Sequence, residues 1–284
     1  MPTLFKSLAE LLEKVEATKK RREITRMTAD FLKQLDTKEV EPAICMILGR
    51  AFPKWSQKNL EVNWVTLSGV LQRVSGFDWS VFREDFAHTG DVGAAVKAVF
   101  EKTKVKKQAV LVEKTLAINE VKRLLQTIAE TRGSGSREKK ERLITALLSQ
   151  ASPVEAKYLT KIFVSEMRTG LHEGLMEQAV AQAFEASLAT VQKATMVMGD
   201  ISEVAAIAKT KGEEGLSQIG FQVFRPVKLM LAQTAHTVSD ALVKHGGRTA
   251  FEYKYDGARV QIHKRGDEVR IFSRRLKEAT QSLP

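Results

Sequence analysis

In the segment Glu252-Tyr253-Lys254-Tyr255-Asp256-Gly257-Ala258-Arg259 a potential nucleophile stands between a carboxylate and a guanidinium. A lysine attacks phosphorus only as the free amine. Its pKa, about 10.4 in an unperturbed side chain, must therefore be lowered by desolvation or neighbouring cations. Arg259 and a bound metal ion would supply such charge, and the same cations would stabilise negative charge developing on a phosphate during in-line attack. The alternation predicts how the chain positions these groups: Glu252 and Lys254 on one face of a strand, with Phe251, Tyr253 and Tyr255 packed on the other. Asp256-Gly257 then turns the chain and Arg259 returns beside the lysine. An ordinary amphipathic strand with a charged outer face and an Asp-Gly turn would show the same pattern, and spacing alone leaves both readings open.

Other segments carry binding chemistry. Arg132-Gly133-Ser134-Gly135-Ser136-Arg137-Glu138-Lys139-Lys140 lies between two helical stretches. Its small residues allow close approach of the backbone, and Ser136 is expected to cap the helix running to Leu148. A helix N-terminus flanked by Arg and Lys suits a phosphate oxygen, although a solvated loop with an ordinary cap fits as well. Arg168-Thr169-Gly170 is expected to break a helix at Gly170, with a new helix from about Glu173. Such a corner either presents Thr169 and backbone amides to a second strand of duplex or simply joins two helices. In Gly90-Asp91-Val92-Gly93, Asp91 is read as the cap of the following helix. Lys102, Lys104, Lys106 and Lys107 read as a solvated basic run, Trp55, Trp64 and Trp79 as core or near-core anchors, and Met196 and Met198 as packing. The five histidines show no metal-ligand spacing, and no metal ligands are assigned.

The elements that must position these groups change along the chain. From residue 1 to about residue 210 apolar residues recur at helical spacing, as at Leu4, Leu8, Leu11, Leu12 and Val15, or Leu143, Leu147 and Leu148. The pattern from Ile162 to Phe184 continues through Met167, Leu171, Leu175, Ala179 and Ala183. A bundle of roughly ten helices is expected. Gly212, Gly215 and Gly220, then Arg225-Pro226, mark a linker. A further helix of about Thr237 to His245 ends at Gly246-Gly247. Beyond it the period becomes two, with Arg265-Gly266-Asp267-Glu268 as a turn and Val269 to Ser273 as the returning strand. The expected fold is mainly α, with a helical domain over residues 1–220, then a linker and the first strands of a sheet over residues 221–284.

Composition narrows the setting. The 284 residues carry 45 Lys and Arg against 34 Asp and Glu, a net charge of +11, which raises the odds of a polyanionic partner without choosing among DNA, RNA and acidic lipid. No apolar run approaches the ~18 residues of a membrane span, and the N-terminus lacks a signal-peptide core. The single cysteine, Cys45, sits in an apolar run and reads as a buried thiol; an intracellular protein is expected, in cytoplasm or nucleoid, or in the nucleus of a eukaryote.

Lys-x-Asp-Gly-x-Arg at Lys254–Arg259 resembles motif I of the covalent nucleotidyltransferases: DNA ligases, RNA ligases and mRNA capping enzymes. The flanks Arg225-Pro226-Val227-Lys228-Leu229-Met230-Leu231-Ala232, Phe251 to Lys264 and Ile271-Phe272-Ser273-Arg274-Arg275 resemble archaeal and eukaryotic ATP-dependent DNA ligases in order and spacing. Gly90–Gly93, Gly133–Ser136 and Met167–Gly170 are similar to that family's DNA-binding domain. Capping enzymes and NAD-dependent ligases share the lysine motif without this helical preamble.

The resemblance implies that Lys254 is the nucleophile that becomes adenylated from ATP with Mg2+, that Glu252 contacts the adenine, and that Arg259 and Arg274 contact the nucleotide. It implies nicked duplex DNA as partner, held by Gly133, Ser134, Gly135, Ser136, Arg137, Lys139 and Lys140 and by Arg168, Thr169 and Gly170. It also implies a monomer recruited by a sliding clamp, with roles in replication, repair and recombination. The family's later motifs and its C-terminal OB-fold domain have no counterpart in these residues, so the chain is expected to be an N-terminal fragment that does not complete catalysis alone. A stand-alone DNA-binding protein with a vestigial sheet is the alternative, and an RNA-joining or capping enzyme a third reading.

Overall fold

The computed structural model describes residues 2–103, 115–229 and 233–282. Of the basic run, Lys104, Lys106 and Lys107 lie outside these residues, as do Met230, Leu231 and Ala232. Twelve helices precede residue 218: α1 (Phe5–Glu16), α2 (Arg21–Gln34), α3 (Thr37–Ile47), α4 (Trp64–Ser75), α5 (Trp79–Thr89), α6 (Val92–Lys102), α7 (Ile118–Glu130), α8 (Ser136–Leu148), α9 (Pro153–Val164), α10 (Glu173–Ala183), α11 (Leu188–Met198) and α12 (Ile201–Ser217). A short helix, α13 (Val238–Lys244), and an antiparallel hairpin, β1 (Val260–Arg265) and β2 (Glu268–Ser273), follow. Among the described residues no helix is long and apolar enough to cross a membrane.

The bundle is organised around α9. Every residue from Glu155 to Phe163 is buried, so this helix has no solvent face and packs against α6 and α1. Ser152 and Glu155 form a reciprocal capping box with Pro153 in the first turn, which fixes where α9 begins. Gly93 lets α6 lie close: a Cβ there would come within 2.7 Å of the Lys161 stem and 2.9 Å of the Lys157 carbonyl. Cys45 is fully buried in the same core, and burial pushes its thiol pKa up to about 12, leaving an inert thiol as expected.

Three expectations are corrected. The helix expected to break at Gly170 ends earlier: α9 stops at Val164 with Ser165 in the left-handed region (φ 57°), Met167 and Leu171 are buried from the loop that follows, and the next helix begins at Glu173 as expected. Gly212 and Gly215 do not open a linker, because α12 continues to Ser217 and only kinks at Gly212, whose dihedrals are non-helical. Residues 251–259 form no strand; β1 starts at Val260. Alternation specifies two faces but supplies no hydrogen-bonding neighbour. None pairs with this stretch among the described residues, and Tyr253 and Tyr255 stand 88% and 86% exposed.

Candidate nucleic-acid interface and nucleotide-transfer segment

The α7–α8 loop has the conformation its glycines suggest. Gly133 and Gly135 take φ of 83° and 71°, the Ser136 N–H donates to the Gly133 carbonyl at 3.2 Å, and Gly133, Ser134 and Gly135 are exposed. The cap of α8 is Gly135, with Ser136 already the first helical residue and making no capping bond. The reason is steric: the left-handed dihedrals at the cap position cost a glycine nothing and a serine a good deal. Arg137 and Lys139 are exposed beside the loop, Arg137 donating to Glu141 at 3.1 Å. Lys140 is not available to a phosphate. It is 6% exposed, and its ammonium donates to the Leu60 carbonyl at 2.8 Å and lies 3.6 Å from Glu61. Lys140 therefore anchors the α3–α4 connection, 80 residues away in sequence, which is why the basic run gave no hint of it.

The second corner is a loop from Ser165 to His172, between α9 and α10. Arg168 and Gly170 both have positive φ, 49° and 78°. Arg168 is exposed, pairs with Glu166 and donates to the Gly90 carbonyl at 3.0 Å. Thr169 is turned inward, 5% exposed, with its hydroxyl unpartnered among the described residues, so Arg168 and Gly170 are the exposed residues of this corner. Asp91 caps α6 as expected, accepting from the Ala94 N–H at 2.8 Å.

Beneath this corner lies a charge network with no counterpart in the sequence reading. Lys161, 1% exposed, sits 2.8 Å from Asp91 and 3.5 Å from Glu16, and donates to the Met167 carbonyl at 3.0 Å. Lys157, also buried, pairs with both Glu13 and Glu16. Tyr158 donates to both carboxylates at 2.9 Å, and Lys97 pairs with Glu13. Burial opposes ionisation of Glu13, but hydrogen bonds from Lys157, Lys97 and Tyr158 outweigh it and hold the carboxyl at about 2. The network ties α1, α6 and α9 to the Met167 carbonyl, one residue before Arg168. A long-range signal could have found it only as two lysines on a helix whose other residues are core types.

The segment from Gly49 to Val62 joins the two corners. A Cβ on Gly49 would meet Met167 at 3.0 Å, whereas Leu60 holds Lys140 and Lys58 pairs with Glu130 at the end of α7. Along the way Arg50 pairs with Asp200, which caps α12 and is fully buried. A cleft of about 300 Å³ runs beside the segment, with Lys54, Lys58 and Asn59 on one wall and Ile162, Phe163 and Ser165 on the other.

The candidate nucleotide-transfer residues follow the helical bundle in the chain. Glu252, Lys254 and Arg259 are exposed and make no hydrogen bond or ion pair among the described residues. Val260 pairs with Ser273, so Arg259 and Arg274, one step further out on each strand, share the open end of the hairpin. Two cations at one end suit nucleotide phosphates. Among the described residues no group of three or more His, Cys, Asp or Glu is placed to hold a metal ion. All residues from Phe251 to Val260 are exposed, so the expected enclosure of the lysine is not formed by the described residues.

The hairpin is docked on the bundle through residues 224–228. Arg225 donates to the Met198 carbonyl at 2.6 Å, pairs with Glu203 and lies 4.7 Å from the Trp55 ring. Lys228 pairs with Glu173, which Lys54 also reaches at 3.0 Å. Burial opposes ionisation of Glu173, but the two ammonium groups hold its pKa below the usual range. On the other side Gln261 exchanges two hydrogen bonds with Val227, and the Phe224 N–H donates to His263. Gln57 adds a clasp, donating to the Leu276 carbonyl at 2.8 Å and accepting from the Glu278 N–H. Trp55 is thus a junction residue; Trp79 packs against the core beside Phe82 as expected, whereas Trp64, against the same ring, is exposed rather than a core anchor.

Two family models match successive parts of the chain. A family model described as "DNA ligase N terminus" matches residues 4–181, and one described as "ATP dependent DNA ligase domain" matches residues 229–284. The DNA ligase of Thermococcus fumicolans is 39% identical over 99% of this chain and 50% of its own length, and that of Methanopyrus kandleri 38% identical over the same shares. DNA ligase 1 of Korarchaeum cryptofilum is 39% identical over 99% of the chain and 49% of its own length. The chain thus spans about half the length of these relatives. With its helical bundle and its lysine segment each matched in order, the chain belongs to the ATP-dependent DNA ligase family.

Proposed function

We propose that this chain supplies the duplex-gripping domain and the nucleotide-accepting lysine of a DNA ligase that seals nicks with ATP. The supporting observation is the pairing, in one chain, of two backbone corners flanked by exposed cations (133–137 and 168–170) with the Lys254–Arg259 segment. The corners suit phosphate oxygens: they offer glycine-lined backbone and exposed arginines, so the grip is on the backbone and carries little sequence preference. In the transfer step the Lys254 Nζ, as free amine, forms a bond to the α-phosphorus of ATP and pyrophosphate leaves. The AMP then passes to a 5′-phosphate at the nick, and the 3′-hydroxyl displaces it. Arg259 and Arg274 hold phosphate oxygens, and Glu252 contacts the adenine. Mg2+ is assigned to the parent enzyme and to none of these residues. A monomer, an intracellular setting and a recruiting sliding clamp belong to the same proposal.

The test is a chimera joining this chain to the second half of the Thermococcus fumicolans ligase. Incubated with ATP and Mg2+, it should gain one AMP on Lys254 by intact mass and peptide mapping. Lys254→Arg should abolish the gain, since a guanidinium stays protonated. AMP that persists in Lys254→Arg rules out the nucleophile. The 284-residue chain alone should gain none, because a missing preorganised group costs roughly 10²–10³ in rate apiece.

A further inference from the structure

Under the Arg168–Gly170 corner sits one buried ammonium with three acceptors around it. Lys161 is 1% exposed; its Nζ lies 2.8 Å from Asp91 and 3.5 Å from Glu16 and donates to the Met167 carbonyl at 3.0 Å. Asp91 divides its two oxygens: Oδ1 accepts from the Ala94 N–H and caps α6, while Oδ2 faces Lys161. Met167 precedes Arg168, and Asp91 follows Gly90, whose carbonyl accepts from Arg168 at 3.0 Å across 78 residues of sequence. The two stretches are therefore joined twice, at the surface by Arg168 and beneath it by Lys161.

The loop needs such a tie. Ser165, Arg168 and Gly170 all have positive φ, of 57°, 49° and 78°. Left-handed dihedrals at two residues other than glycine persist only where surrounding contacts impose them. The bond from Lys161 to the Met167 carbonyl is one such contact, and the close approach of Met167 to Gly49 is another. Gly93 admits the lysine, since a Cβ there would lie 2.7 Å from its stem. A buried ion pair is weak evidence for stability, because apolar side chains of the same volume often serve as well. An apolar side chain would fill the space, but it would not hold a carbonyl of one loop against the capping carboxylate of another.

We propose that Lys161 is a positioning residue for duplex binding: it touches no phosphate, and it presets the 165–170 loop so that Arg168 and Gly170 meet the DNA backbone without first having to be ordered. Ordering a loop on binding subtracts from affinity, so a preset loop binds more tightly with the same contacts. The inference rests on the DNA-binding reading above.

The experiment measures anisotropy of a labelled nicked duplex titrated with the 284-residue chain over a salt series. The variants are Lys161→Met, Arg168→Ala, Arg137→Ala, and Lys161→Met combined with each arginine change. Arg168→Ala should weaken binding about tenfold at ~100 mM salt and flatten the salt slope by about one unit, as loss of one phosphate contact requires. Lys161→Met should do the same from a buried position, and combining the two should cost no more than about threefold beyond either alone. Arg137→Ala, at the other corner, should add its full loss to that of Lys161→Met. Asp91→Asn is a second variant for the case in which Lys161→Met does not fold. Asparagine caps a helix as well as aspartate, so α6 keeps its start while Lys161 loses a charge partner. Its smaller loss should vanish in the Arg168→Ala background. Wild-type affinity and slope in Lys161→Met and Asp91→Asn, with Arg168→Ala weakened, overturns the inference and leaves the corner standing. A Lys161→Met loss that adds fully to both arginine changes also overturns it, since general loosening of the bundle would do that. A wild-type chain that does not bind the duplex, or binding indifferent to Arg168→Ala, sinks the corner reading itself and this inference with it.

Discussion

At the scale of single residues, two buried lysines are held by partly buried carboxylates. Lys157 and Lys161 lie inside the bundle because Glu13, Glu16, Asp91 and a carbonyl satisfy them, and removing one partner from such a group is far more disruptive than its net contribution suggests. The pH behaviour follows. Glu13 is held at about 2 in the folded chain against an ordinary 4.5, so the folded state binds fewer protons there than the unfolded state over that interval. Its contribution is complete above about 4.5 and is lost as the pH falls through about 2. Urea midpoints recorded from neutral pH downward should therefore drop through this window for the wild type. Glu13→Gln should be less stable at neutral pH and show a flatter acid limb. An acid limb of unchanged steepness in the variant would show that other carboxylates control it.

At the scale of elements, the hairpin is held less by its own two strands than by the strap of residues 224–228 beneath it. A lone hairpin is marginal in water. Here Arg225, Lys228 and Gln57 fasten it to the bundle from one side, and Gln261 and His263 from the other. Limited proteolysis should cut first in the exposed stretch between residues 233 and 259, sparing the helical Gly212–Gly215 region, and mass mapping of the first fragments would check it. First cuts within residues 212–220 would restore a linker there. The contrast shows which parts of the fold are legible in a sequence. Asp91 as a cap was readable because its partner, the Ala94 N–H, is three residues away. The Arg265–Glu268 turn was readable for the same reason. Lys140 and Lys157 were not, because their partners lie 80 and 144 residues away and their type is that of any solvated cation. The strand expected from Phe251 onward failed differently: alternation encodes which side chains face together, and a ladder also needs a neighbour.

At the scale of the whole molecule, the Gly90–Asp91 cap and the Arg168–Gly170 corner lie together, joined by Arg168 and Lys161. The Gly49–Val62 segment connects this pair to the Gly133–Ser136 loop. Membership of the DNA ligases was legible because the motif residues are local in sequence; the link between the two corners was not, because it depends on the distant contacts of Gly49 with Met167 and of Lys140 with Leu60. The central claim is that duplex DNA is gripped by these corners, and amide hydrogen exchange with and without a nicked duplex tests it most directly. Exchange should slow at residues 133–137 and 167–171, and stay unchanged in α13. Slowing confined to the hairpin, with both corners exchanging as in the free chain, would contradict the account.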